Sequence, residues 1–251
     1  DDTVAVRIAD SLSYKGYDQV LEIGPGTGVL TKHVIRKEIK VTALELDRES
    51  VAYLKQTFPV EHSKIVNDKT FEVVEADFLK KDLRDIYGDG SFAIIGNFPY
   101  NISTQIVFKT IENRDQIPEF GGMFQKEVAE RIIATPNSKA YGRLAILAQW
   151  KTNPSIVMEL PPEAFTPPPK VHSAVVHFDA LAEPRFPAPA GLLSSTVAMA
   201  FNQRRKMLRS SLKSASPDIE NVLRDAGLEP TARAEEISLE GFCALARRLA
   251  R

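Results

Sequence analysis

In the first hundred residues, apolar positions come in short runs separated by helix-like stretches. Gln19-Val20-Leu21-Glu22-Ile23 reads as a strand that ends at Gly24-Pro25-Gly26-Thr27-Gly28, and residues 29–37 read as a helix. Residues 41–46 form a second predicted strand, followed by a helix over 49–56, and 71–76 and 92–95 supply a third and a fourth strand. Buried strands with helices between them predict a parallel, doubly wound α/β sheet. Farther on, 120–125, 155–160 and 174–178 have strand character, and 127–134 reads as a helix ended by Pro136.

The run Phe165-Thr166-Pro167-Pro168-Pro169-Lys170 and one last strand close the sheet region, and Pro184, Pro187 and Pro189 mark a linker. From Gly191 to Arg251 the pattern is helical. Leu193, Val197, Phe201, Leu208 and Leu212 fall on one helical face, with Arg205, Arg209 and Lys213 as a neighbouring stripe. The expected organisation is an α/β domain over 1–180 and a small all-helical domain over 181–251.

Composition narrows the setting. The 251 residues are 43% hydrophobic and 26% charged, which excludes a disordered, collagenous or coiled-coil chain. No apolar stretch approaches the roughly 20 residues of a membrane span. The single cysteine, Cys243, permits no internal disulfide and reads as core, which fits a reducing, cytoplasmic setting. The opening Asp1-Asp2-Thr3 has neither the basic nor the apolar part of a signal peptide. His33, His62, His172 and His177 show no ligand spacing with acids or the cysteine, so no metal is expected, and Trp150 reads as packing.

Charge changes the picture more. The net charge is −1, but residues 1–100 carry −4 and residues 176–251 carry +2. Arg204, Arg205, Lys206, Arg209 and Lys213 follow one another with no acid between them. Such a patch binds phosphates whatever the total charge; the bland alternative is a solvated helix face.

Glu22-Ile-Gly24-Pro-Gly26-Thr-Gly28 sits between a strand and a helix, where glycines let the backbone turn sharply and approach a nucleotide-like ligand. The spacing is GxGxG, and on its own it leaves an NAD site open. Glu45, 21 residues after Gly24, ends the next strand, where a carboxylate accepts hydrogen bonds from ribose hydroxyls. Asp77 follows the third strand and is placed to accept from an adenine amino group, with Phe78 against the ring. Asn97-Phe98-Pro99-Tyr100 follows the fourth strand and carries the most specific chemistry. An exocyclic amine is a poor nucleophile because its lone pair is delocalised into the ring. A site that methylates it must accept its N–H bonds so that the nitrogen can pyramidalise. The Asn97 oxygen and the carbonyl before Pro99, held extended by that proline, suit this task, and Tyr100 offers a face for an unstacked base.

These motifs, with Glu45-Leu46-Asp47, Gln125-Lys-Glu-Val-Ala-Glu-Arg131, Phe165-Thr-Pro-Pro-Pro-Lys-Val171 and Phe201-Asn-Gln-Arg-Arg-Lys206, resemble those of the ribosomal RNA adenine N6-dimethyltransferases, most closely the bacterial small-subunit branch. The resemblance runs from Val20 to about Leu249. It implies a Rossmann-like class I methyltransferase sheet followed by the helical domain. It also implies S-adenosylmethionine as methyl donor and two adjacent adenines near the 3′ end of 16S rRNA, within the small subunit, as acceptors. A linked role in subunit assembly, a monomer and a cytoplasmic location go with it. Gly24 would lie against the methionine part of the donor, Glu45 would hold its ribose and Asp77 would bind its adenine amino group, with Glu22, Gly26, Gly28, Leu46 and Phe78 also in the donor site. Asn97, also against the donor, would polarise the target amine, with Phe98 and Pro99 in the same motif. Tyr100 and Phe165 would sandwich the target base, and Arg204, Arg205, Lys206, Arg209 and Lys213 would hold the RNA backbone.

The chain departs from the family's pattern in three places. It begins just past the point where members carry a basic arm and a Gln-Asn/His-Phe-Leu motif, and so reads as a trimmed chain or a fragment. Phe98 stands where Leu or Ile is usual, and His172 where Asp is usual. The alternatives are the antibiotic-resistance branch acting on a large-subunit adenine, a mainly non-catalytic assembly or transcription factor, and an NAD-dependent oxidoreductase. The last leaves Asn97–Tyr100 unexplained.

Overall fold

The computed structural model describes residues 2–250 apart from Asp68 and Thr166. Thr166 belongs to the Pro-rich run singled out above and, with Asp1 and Arg251, lies outside the described residues. The chain divides into two compact units, one of residues 1–129 and 153–180, the other of residues 130–152 and 181–251. Residues 130–152 thus group with the C-terminal helices, and residues 153–180 with the sheet.

The first unit is built on strands β1 (Gln19–Ile23), β2 (Lys40–Glu45), β3 (Phe71–Glu75), β4 (Ala93–Asn97), β5 (Glu119–Gln125), β6 (Thr152–Leu160) and β7 (Ser173–Ala180). They form one seven-stranded sheet in the order β3-β2-β1-β4-β5-β7-β6. β1 and β4 are buried on both faces because the sheet is covered on both sides, which is why their residues are mostly apolar, with Glu22 the buried exception in β1. Their neighbours β2, β3 and β5 run parallel to them. β7 runs antiparallel to β5, from Glu119 opposite Asp179 to Gln125 opposite Ser173, so the sheet is mixed rather than wholly parallel. The connection from β6 to β7 explains the reversal. It is rich in proline, and among its described residues it holds only a three-residue turn, Pro162–Ala164, with no crossover helix to carry the chain back.

Helices α1 (Asp2–Ala9), α2 (Thr31–Ile35), α3 (Arg48–Gln56), α4 (Phe58–Glu61), α5 (Arg84–Tyr87) and α6 (Ser103–Glu112) belong to this unit, and α7 (Lys126–Ile132) follows β5. α1 buries Val4, Ala5, Ile8 and Ala9, an i, i+1, i+4, i+5 stripe, and Asp2 ties it to Lys32 (2.6 Å) and His33 (2.9 Å) of α2.

Phe98 is only 1% exposed and packs its ring 5.1 Å from both Phe120 and Phe124. A Cβ at Gly122 would lie 2.0 Å from that ring and one at Gly96 2.6 Å from it. The two glycines supply the volume that a phenylalanine needs in place of Leu or Ile, so the Phe98 side chain is a core element and only its backbone can face a ligand.

The second unit contains α8 (Arg143–Lys151), α9 (Ala190–Asn202), α10 (Leu208–Ser211), α11 (Ile219–Asp225) and α12 (Leu239–Leu249). Its core draws on Leu193 and Val197 of α9 with Phe242, Cys243, Leu245 and Ala246 of α12, and burial pushes the Cys243 thiol up to about 11. Trp150 is buried and donates to the Phe186 carbonyl at 2.7 Å. The expected continuous face from Leu193 to Leu212 is broken, because α9 ends at Asn202. Segment 230–233 captures the backbone here: Leu208 donates to Ala232 O at 2.8 Å and Arg209 to Pro230 O at 3.0 Å, bonds that a continuing helix would replace. Among the described residues no helix is long and apolar enough to cross a membrane.

Candidate active site

Strand order reverses at β1 and β4: from β1 the sheet grows through β2 to β3, and from β4 through β5 to β7. In open α/β sheets, ligands bind beyond the carboxyl ends of the strands at such a switch point. Four expected site segments lie along that edge in strand order: Asp77 after β3, Glu45 ending β2, the glycine loop after β1 and Asn97 ending β4. Four strands at ~4.8 Å spacing span about 14 Å, the reach of an extended nucleoside linked to an amino acid.

A cavity of about 300 Å³ opens here, lined by Val4, Ala5 and Ile8 of α1, Glu22, the loop from Gly24 to Thr27, Val29 and Leu30, Asn97 and Phe165. It is near the small end of ligand sites. Gly24, Gly26 and Gly28 all have positive φ, at 65°, 56° and 80°. The Glu45 carboxylate grips this loop. Its Oε2 accepts from Gly26 N at 3.0 Å, and Oε1 accepts from Leu46 N at 2.8 Å and Asp47 N at 3.0 Å. A carboxylate offers about four acceptor sites, so one on Oε2 is left for a ligand hydroxyl. Leu46 beside it is 63% exposed.

Glu22 is 1% exposed, and its Oε2 has no hydrogen-bond partner among the described residues. Burial pushes its carboxyl up to about 8, with the Glu45 carboxylate adding to the rise and the nearby Thr31 hydroxyl partly offsetting it. An orphaned buried acceptor lining the cavity fits a ligand that brings its own donor, such as an ammonium group.

Asp77 caps its own turn: Oδ1 accepts from Leu79 N at 2.9 Å, and Oδ2 lies 3.7 Å from Lys80 Nζ. Phe78 differs from expectation. It is 3% exposed with the Lys109 ammonium 5.0 Å from its ring centroid, so it holds the loop and offers no open face for stacking. Asn97 is the last residue of β4 rather than beyond it, and it is exposed. Pro99 is exposed too, while the Tyr100 hydroxyl meets the buried Ser173 Oγ at 2.8 Å. Asn97 and Phe165 share the cavity; Tyr100 does not line it and is held by Ser173.

Sequence reasoning missed α1 as a wall of this cavity, although its apolar stripe was readable. It also missed Lys109 and Ser173, whose partners are 31 and 73 residues away.

The five cations of the second unit are not equivalent. Arg204 Nε is 2.7 Å from Glu235 and its Nη2 donates to Ser138 O at 3.2 Å, while Arg209 is 3.6 Å from Glu220. Glu220 and Glu235 are acids that the uninterrupted basic run did not reveal. Arg205, Lys206 and Lys213 are exposed and have no acidic partner among the described residues.

The histidine reading also needs correction. His177 does meet acids: Glu119 Oε1 at 2.6 Å and Asp179 at 3.9 Å, with all three ligand atoms within 4.8 Å. Glu119 further accepts from Ser13 N and Oγ and from the Tyr17 hydroxyl. It therefore pins the loop after α1 to the start of β5, the sheet edge opposite the cavity. Burial alone would raise the Glu119 carboxyl, but hydrogen bonds from His177, Tyr17 and Ser13 outweigh it and bring it down to about 2. A depressed carboxyl stabilises the fold above its unfolded value near 4.5, and that contribution is lost as pH falls from there toward 2. His177 is raised, chiefly by its hydrogen bond to Glu119, so its contribution is complete below its ordinary value of 6.5 and fades as pH rises through the raised one. Urea unfolding midpoints between pH 2.5 and 6 should fall more steeply for the native chain than for Glu119→Gln; parallel curves would contradict this.

The ribosomal RNA adenine dimethylase family profile matches residues 1–251. A "Ribosomal RNA small subunit methyltransferase A" of Cereibacter sphaeroides is 53% identical over 249 residues, 97% of this chain and 85% of that protein. The crystal structure of the 23S rRNA methyltransferase ErmE superposes with a TM-score of 0.71 at 27% identity, covering 100% of this chain and 98% of that one. A dimethyladenosine transferase from Plasmodium falciparum shares the fold with a TM-score of 0.78 at 24% identity, over 98% of this chain and 94% of that one. The mixed sheet, the cavity at its switch point and these matches along the whole chain lead to one conclusion: the chain belongs to the ribosomal RNA adenine dimethylase family.

Proposed function

We propose that this chain transfers methyl groups from S-adenosylmethionine to N6 of two adjacent adenines near the 3′ end of 16S rRNA, dimethylating each. The observation that carries this is the meeting of Asn97, Phe165 and the glycine loop around one cavity, at the edge that also carries Glu45 and Asp77. Identity of 53% to a small-subunit enzyme against 27% to a large-subunit one favours the small subunit.

Glu22 and the glycine loop would hold the amino-acid part of the donor, Glu45 its ribose and Asp77 its adenine. The donor supplies an electrophilic methyl group on a sulfonium. The rest of the work falls to the chain. The Asn97 side-chain oxygen and the Phe98 backbone carbonyl accept the two N–H bonds of the target amine in the first transfer, and one of them accepts the single N–H left for the second, drawing the nitrogen toward tetrahedral geometry. As each N–C bond forms, the S–C bond of the donor breaks to leave a neutral thioether, and the nitrogen's proton passes to solvent. No strong base is required, because the amine becomes acidic only as the new N–C bond forms. Catalysis then rests on orientation and exclusion of water. Phe165 and the Ser173-held Tyr100 supply faces for a base that has left its stack.

The exposed Arg205, Lys206 and Lys213 would hold phosphates, with the chain acting as a monomer in the cytoplasm and its binding linked to subunit assembly. Arg205→Ala and Lys206→Ala should each lower the salt slope of log affinity for small subunits by about 1. Arg204→Ala should leave the slope unchanged and lower stability instead, since Arg204 is spent on Glu235; equal slopes for all three variants would refute this division. The function itself is tested by offering labelled donor with isolated subunits. Label confined to unmethylated small subunits supports it, and label in the large subunit moves the chain to the other branch.

A further inference from the structure

α6 begins three residues after Tyr100, and Ile102 N donates to Pro99 O at 3.2 Å, so the helix grows directly out of the Asn97–Tyr100 motif. Its last turn carries Lys109. The Lys109 ammonium donates to Phe78 O at 2.6 Å and to Lys81 O, and it lies 5.0 Å from the Phe78 ring centroid. These carbonyls belong to the short turn that Asp77 opens: Asp77 O accepts from Lys80 N at 3.1 Å and Lys81 N at 2.9 Å, and its carboxylate accepts from Leu79 N. A single turn of this kind uses only its first carbonyl, that of Asp77, and the carbonyls after it lack partners within the turn. Two of the three donors of an ammonium here fill two of those vacancies, and the ring beneath adds a cation–π contact.

We infer that Lys109 is a positioning residue for the methyl donor: it clamps the Asp77–Lys81 turn to α6 and thereby fixes the Asp77 carboxylate relative to Asn97. The inference rests on the reading that Asp77 binds the donor's adenine. Lys109 acts through that turn and touches neither substrate. One helix holds both ends of the site, with the amine-binding motif at its start and the adenine-binding turn at its end. Acids around the clamp, Asp77, Asp82 and Glu112, oppose the effect of burial, which lowers the Lys109 ammonium from its ordinary value. The cation therefore belongs to a partly desolvated site where its hydrogen bonds count for more than at an open surface.

The test compares Lys109→Met, Lys109→Arg and Asp77→Ala in the full chain. It reads equilibrium affinity for S-adenosylmethionine and S-adenosylhomocysteine, KM and kcat on small subunits, and the thermal midpoint. Loss of two charge-assisted bonds should weaken both ligands by the same factor, about tenfold, since both carry the adenosine part. The kcat at saturating donor should stay within about twofold, and Lys109→Arg should recover most of the affinity. Should the Met variant fail to fold, the Arg variant and Lys109→Gln carry the comparison, with Gln expected to bind the donor less tightly than Arg. Unchanged donor affinity in the Lys109 variants, alongside a large loss in Asp77→Ala, overturns the clamp and leaves the Asp77 reading intact. A fall in kcat with donor KM unchanged also overturns it. Unchanged affinity in Asp77→Ala removes the Asp77 reading, and the clamp falls with it.

Discussion

Asn97→Ala is expected to reduce methyl transfer about 10³-fold or more while leaving donor affinity and small-subunit binding within a few fold. The side chain ends β4 and is exposed, so its removal vacates no core volume and stability should move by no more than about 0.5 kcal/mol. What disappears is one of two acceptors that draw the amine nitrogen out of conjugation, an interaction made fully only in the transition state. Such a loss appears in kcat rather than KM. Asn97→Asp keeps an acceptor oxygen and should retain more activity than the Ala variant. Single-turnover methylation of unmethylated small subunits makes the measurement, and activity within tenfold of the native chain would show that the amine is held elsewhere.

The second large effect concerns the glycine loop, where adjacent glycines serve different purposes. At Gly28, φ is +80° and a Cβ would lie 2.4 Å from the Phe58 ring, in the core beneath the loop. Gly28→Ala therefore combines left-handed strain of about 1–2 kcal/mol with overpacking of similar size, about 3 kcal/mol together. At Gly26, φ is +56° but an added Cβ meets nothing within 4 Å. Gly26→Ala should cost stability only the strain, yet it places a methyl group on a residue that lines the cavity. Unfolding and donor titration should then separate the pair, with Gly28→Ala losing more stability and Gly26→Ala losing affinity beyond its small stability cost. Similar losses of stability in the two variants would contradict the packing argument.

Much of this site was legible in the sequence because its parts are local. The GxGxG turn, the acids ending β2 and following β3, and Asn97 each sit at or just after the end of a short strand that is rich in apolar residues and, in β1, β2 and β4, mostly buried. The features that were not legible depend on contacts distant along the chain. The reversal of β7 follows from a connection without a crossover helix. The break between α9 and α10 is imposed by segment 230–233, and it turned an apparent basic stripe into separate residues with different partners. Glu235 neutralises Arg204 from 31 positions away, and Glu119 gathers Ser13, Tyr17 and His177 from across the unit. Phe98 could be read as part of the motif, but only the empty space at Gly96 and Gly122 shows that its ring belongs to the core.

The most direct test of the account is the product formed on unmethylated small subunits given labelled S-adenosylmethionine, identified after digestion to nucleosides. The account predicts N6,N6-dimethyladenosine from two adjacent adenines near the 3′ end of 16S rRNA, absent when Asn97 is replaced by Ala. A product on any other base or subunit, or the same product from Asn97→Ala at the native rate, would contradict it.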